Sequence, residues 1–129
     1  MVQMNTRQLS LACILAAVAI STGAFGAHFL REQLQLEVRA LEVCDIAVRY
    51  LFWNALGLGL LALLSGMERP SRLILYGVMV FAATLFLVAL NGHLPFRSNW
   101  LGAVTPVGGV LMIVGWLWAA RKLWKQQHG

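Results

Sequence analysis

The sequence predicts an all-α fold: an integral membrane four-helix bundle with an amphipathic interfacial helix between its first and second spans. Three observations predict it. The residues Ala, Val, Ile, Leu, Met, Phe, Trp, Tyr and Cys make up 60% of 129 residues, before 12 glycines are counted, and charged residues only 12%. A soluble domain carries about 45–50% apolar and about 25% charged residues, and a globule this small has too much surface for its volume to hide the excess. The apolar residues also gather in four runs, each near the ~20 residues that cross a hydrocarbon core about 30 Å thick. Backbone groups in lipid must be satisfied internally, so the runs are helices; a barrel needs at least about eight alternating strands, more than this chain supplies. The composition excludes disorder, and two cysteines exclude a disulfide scaffold. Residues 1–129 are expected to form a single transmembrane domain.

The first span is expected at about residues 9–29, because Leu9 to Phe29 carries no charge. Arg7 ahead of this run and Ala24-Phe25-Gly26-Ala27 at its end imitate a secretory signal. The run is longer than an ordinary signal core, so a retained helix is expected. Ser10-Leu11-Ala12-Cys13 imitates a lipoprotein cleavage site, but the run before it is too short. From Arg31 to Asp45 the pattern changes: Leu34, Val38, Leu41 and Val48 recur at helical spacing, while Glu42, Asp45 and Arg49 fall on another face. Asp45 and Arg49 form a favourable i,i+4 pair. This predicts an interfacial helix running into a second span at about 47–66. Glu68-Arg69-Pro70-Ser71-Arg72 reads as a charged turn, followed by a third span at about 73–92. His93 to Trp100 is a polar loop containing Pro95, followed by a fourth span at about 101–121.

Orientation follows from Lys and Arg near the span ends. Arg7, Arg69, Arg72, Arg121, Lys122 and Lys125 share one side, and Arg31, Arg39, Arg49 and Arg97 the other. Six against four places both termini in the cytoplasm. The net charge of +5 is this flanking bias, so nucleic acid is not an expected partner; the lipid bilayer is. Trp100, Trp116, Trp118 and Trp124 are expected as interface anchors near the ends of span four. Cys13 and Cys44 fall near opposite faces, beyond disulfide reach, and read as small apolar residues. Small residues let helices approach closely in lipid. Ala19, Gly23 and Ala27 offer such a stripe in span one, Ala55, Gly57 and Gly59 in span two, and Gly102, Gly109 and Gly115 in span four. Contact within the bundle and contact between protomers both satisfy these stripes.

Polar side chains within spans are costly and often functional. Alternating span direction maps His28, Tyr50, Asn54, Asn91, His93 and Thr105 to the outer half of the bundle and leaves the inner half almost bare. These residues and Pro106 form a candidate polar pocket. Pro106 frees the carbonyl of Gly102, which either opens backbone toward that pocket or belongs to a loose first helical turn. Each residue also has a plainer role: histidines at headgroup level, asparagines as interhelical glue. Two imidazoles on different helices can ligate haem iron or form half of a metal site. However, Cys-x-x-Cys-His is absent and few other soft ligands lie nearby, so no cofactor is expected. No catalytic constellation and no phosphate-binding glycine loop stands out, and the lack of a carboxylate inside any span weakens a proton-coupled transporter.

Gly23-Ala24-Phe25-Gly26-Ala27-His28, Ala47-Val48-Arg49-Tyr50 and Leu101-Gly102-Ala103-Val104-Thr105-Pro106-Val107-Gly108-Gly109 resemble the membrane family known as domain of unknown function (DUF) 423, or UPF0382. The resemblance covers nearly the whole chain. It implies four-helix proteins of bacterial inner membranes with no established activity. The family pattern has a histidine four residues after the tyrosine of span two, where this chain has Asn54, and serines in span three where it has Ala82 and Ala83. The resemblance therefore implies a drier pocket and no histidine pair here. The expected function is that of a non-enzymatic accessory or scaffold protein, packing with itself or with a larger membrane complex. The alternative is binding or transport of a small ligand (a quinone, a lipid headgroup or a polar solute) in the outer polar pocket.

Overall fold

Residues 4–93 and 100–129 are described by a computed structural model. Asn5 caps α1 (Thr6–Ser21), its Oδ1 accepting from the Gln8 amide at 3.0 Å. A π-helical turn (Thr22–Gly26) carries the rod into α2 (Ala27–Glu32). The chain then runs through α3 (Val38–Ala62), α4 (Glu68–Ala89), a 3-10 turn (Asn91–His93) and α5 (Leu101–His128). There is no strand among the described residues. Four helical stretches, Thr6–Glu32, Val38–Ala62, Glu68–Ala89 and Leu101–His128, are long and apolar enough to cross a membrane. The all-α, four-crossing architecture is the expected one. Residues 94–99 of the expected 93–100 loop, and the side chain of Ala27 in the expected first stripe, lie outside the described residues.

Two boundaries differ from the residues expected, each for a local reason. The amphipathic helix runs into the second span as expected, but it starts at Val38 rather than near Arg31. Its residues from Val38 onward are the opening turns of α3, because the buried stripe Cys44, Ala47, Leu51, Asn54, Leu58, Leu61 runs on with no proline to interrupt it. The chain breaks earlier, at residues 33–37, where Gln33 and Leu34 both donate to the Phe29 carbonyl and Gln35 takes φ 49°. The second difference concerns Glu68-Arg69-Pro70-Ser71-Arg72, which is the first turn of α4 rather than a loop. Pro70 is its third residue, a position whose N–H has no helical acceptor to lose, and Ser71 N donates to Met67 O at 3.0 Å. The actual turn is 63–67, with Gly66 at φ 76°, a conformation that disfavours any Cβ.

The core is a contiguous cluster in which Ala19, Ala47, Met67, Ile74 and Val78 are fully buried. α4 packs most extensively on α5; α3 packs on α4 and on α1. Backbone contact drives the first of these. A Cβ at Gly77 would lie 2.7 Å from Met112 N and 2.8 Å from Gly108 O, and one at Gly108 2.6 Å from Phe81 N. The close stripe of α5 is therefore Gly108, Met112, Gly115, Ala119, not the expected Gly102, Gly109, Gly115. Gly102 faces open space and Gly109 makes only ordinary contact with Phe81. The expected stripes of the first two spans do not pair with each other as stripes: Gly59 meets Ala12 of α1 and Gly23 meets Val48 of α3 at 3.2 Å, while Gly57 faces Trp116 of α5. Large apolar side chains such as Trp53, Leu60 and Leu117 point away from the bundle, as lipid-facing residues do.

Candidate functional site

Alternating helices bring the start of α1, the 63–67 turn and the end of α5 to one end of the molecule. Asn5 N donates to Ala62 O at 2.9 Å, Lys122 Nζ to Gly66 O, and Gln126 Nε2 to Ser65 O at 3.4 Å. His28 and His93 are therefore at the opposite end, as expected. They do different things there. His28 is exposed and pairs along its own helix with Glu32, Nε2 to Oε2 3.2 Å. His93 is an exposed residue closing the 3-10 turn. Asn91 is half-buried and engaged.

Asn54 is buried in α3 and bridges two elements. Its Nδ2 donates to the Tyr50 carbonyl at 2.8 Å, and its Oδ1 accepts from Trp116 Nε1 at 3.0 Å. Trp116 is thus an interhelical donor rather than an interface anchor, packed so closely that a Cβ on Gly57 would lie 2.4 Å from its ring. Trp100 and Trp124 remain exposed near the ends of α5. Thr105 Oγ1 lies 2.9 Å from Thr84 Oγ1, which in turn lies 2.8 Å from Val80 O and 3.0 Å from Phe81 O. With one hydroxyl proton each, Thr105 donates to Thr84 and Thr84 to its own helix. Pro106 is exposed inside α5.

The seven expected pocket residues therefore do not converge on one pocket. Asn54 joins α3 to α5, Thr105 joins α5 to α4, and His28 pairs within the first rod. Tyr50 and Asn54 share a recess, a groove of about 580 Å³ whose other walls include Trp53, Phe81, Ile113 and Trp116. The Tyr50 ring sits 4.8 Å from that of Phe81 and 5.9 Å from that of Trp53. The opposite end is not bare. Gln8 Nε2 donates to Ser71 Oγ at 2.7 Å and to Leu58 O at 3.2 Å, joining α1, α3 and α4. Sequence reasoning missed Gln8 and Ser71 because both fall in segments read as flanks, missed Thr84 because its span was read only as an uncharged run, and missed the role of Trp116 because it was read as an interface anchor. Thr84, a hydroxyl in the middle of an uncharged run, was the readable signal. Among the described residues no cluster of three His, Cys, Asp or Glu side chains offers a metal site.

Four apolar crossings with polar side chains turned inward on one another define a small multi-pass membrane protein. A family profile described as protein of unknown function (DUF423) matches residues 22–109. A UPF0382 membrane protein of Staphylococcus saprophyticus is 36% identical over 112 residues, covering 83% of this chain and 88% of the relative. One from Staphylococcus haemolyticus is 34% identical over 112 residues, with 83% and 86% covered. The UPF0382 membrane protein YwdK of Bacillus subtilis is 31% identical over 114 residues, with 83% and 87% covered. The chain belongs to the DUF423 family. No solved structure matches it.

Proposed function

We propose that this chain is a non-enzymatic accessory or scaffold protein of the bacterial inner membrane, with both termini in the cytoplasm. The observation that carries the reading is how its intramembrane polar groups are used. Asn54 with Trp116 and Thr105 with Thr84 are satisfied by neighbouring helices, which is adhesion between helices. Catalysis needs such groups aimed at a substrate. The first rod supports the reading further: Ile14, Val18, Phe25 and Phe29 all face away from the bundle, leaving a broad apolar side for another membrane helix. The excess of Lys and Arg on the turn side supports the orientation.

Purification of the full chain in mild detergent, with photo-crosslinking from Phe25, tests the reading. The expected result is a reproducible crosslink to one membrane protein or to a second copy. A lone monomer with no crosslink in every preparation overturns it.

A second reading rests on the ring-lined groove at Tyr50 and Asn54. Three aromatic rings beside a tyrosine hydroxyl suit a flat, partly polar ligand such as a quinone. Quenching of Trp53 and Trp116 fluorescence by a soluble quinone, lost in Tyr50→Ala, would support it; equal quenching in both proteins would count as nonspecific partition.

A further inference from the structure

At the turn end of the molecule, α1, α3 and α4 enclose a recess of about 390 Å³. Its walls change character with depth. Arg7, Glu68 and Arg72 stand at the rim; Leu11 and Leu75 lie about one helical turn further in. The Gln8 bridge to Ser71 and Leu58 joins the three helices at this level and fixes the recess between them. Neither Arg7 nor Arg72 has an ion-pair or hydrogen-bond partner among the described residues. Both are exposed, on stems long enough to lift a guanidinium to headgroup level.

We propose that this recess is a binding site for one glycerophospholipid with a singly anionic headgroup, its phosphate between Arg7 and Arg72 and one acyl chain along Leu11 and Leu75. Guanidinium forks match phosphate oxygens. Two arginines and one glutamate leave the rim one positive charge, complementary to a phosphodiester without a compensating ammonium. A zwitterionic headgroup is neutral overall and would leave that positive charge unmatched. Glu68 accepts hydrogen bonds from headgroup hydroxyls. The order of charge above apolar wall is the order of a phospholipid, and a free phosphate would leave the apolar wall unused.

The test is native mass spectrometry of the full chain in detergent, titrated with phosphatidylglycerol, with phosphatidylethanolamine of the same acyl chains, and with sodium phosphate. The expected result is saturable binding of one phosphatidylglycerol, tighter than phosphatidylethanolamine and undisturbed by millimolar phosphate. Arg7→Gln and Arg72→Gln each weaken it about fivefold. Arg69→Gln, at the same end but outside the recess, leaves it unchanged. Leu11→Trp fills the recess from an exposed position and abolishes binding, and it decides the matter if the arginine variants do not stay monodisperse. Equal affinity for the two lipids, an equal loss in Arg69→Gln, full binding by Leu11→Trp, or displacement of lipid by phosphate would each overturn the proposal.

Discussion

Trp116 can only donate a hydrogen bond and the Tyr50 backbone carbonyl can only accept one, so the Asn54 amide between them has a single orientation that satisfies both. Replacing Asn54 with leucine leaves the indole N–H without an acceptor. The expected cost is about 1–2 kcal/mol, read from unfolding in mixed micelles followed by tryptophan fluorescence. Asn54→His, which restores an acceptor, is expected to recover part of it. Thr84→Val is expected to cost less, about 0.5–1 kcal/mol, because Thr105 can turn its hydroxyl to Leu101 O, 3.2 Å away. Asn54 and Thr105 were legible in the sequence as polar residues at a given depth. Their partners were not, because hydropathy gives depth along a helix while the facing partner depends on rotation about the axis.

At the scale of elements, the α4–α5 contact is set by glycines that no side chain can replace. Gly77→Ala or Gly108→Ala forces a methyl into opposing backbone and is expected to destabilise by about 1–3 kcal/mol. Gly102→Ala, facing open space, is expected to be neutral or to gain up to about 1 kcal/mol from helix propensity. Mixed-micelle unfolding of the three variants checks the contrast; similar losses for all three would remove the close-packing account. The number of helices long and apolar enough to cross was legible, because the sequence carries four apolar runs of about bilayer length. The break at residues 33–37 was not, since the pattern from Arg31 to Asp45 does not mark where the amphipathic helix begins. Gly77 was overlooked because it stands alone in its helix, and a single small residue makes no visible stripe.

For the whole molecule, the two ends are chemically distinct, and labelling reads which faces the cytoplasm. With Cys13 and Cys44 replaced by alanine, Gln35→Cys is expected to react with an impermeant maleimide in intact spheroplasts, and Ser65→Cys only after lysis. The reverse pattern would invert the orientation. The sequence placed His28 and His93 at one end from alternation alone, but the concentration of polar contacts at the other end escaped it. Those contacts form between chain segments that a linear pattern treats as separate flanks. The helices also pack in succession: among the described residues α1 has its one extended helix–helix interface with α3, whereas α4 is held on both sides. Biogenesis inherits that asymmetry. α1 gains its main partner only when α3 emerges from the ribosome, so this rod settles late. Under a pulling force it is the piece that peels away while the other three crossings hold together.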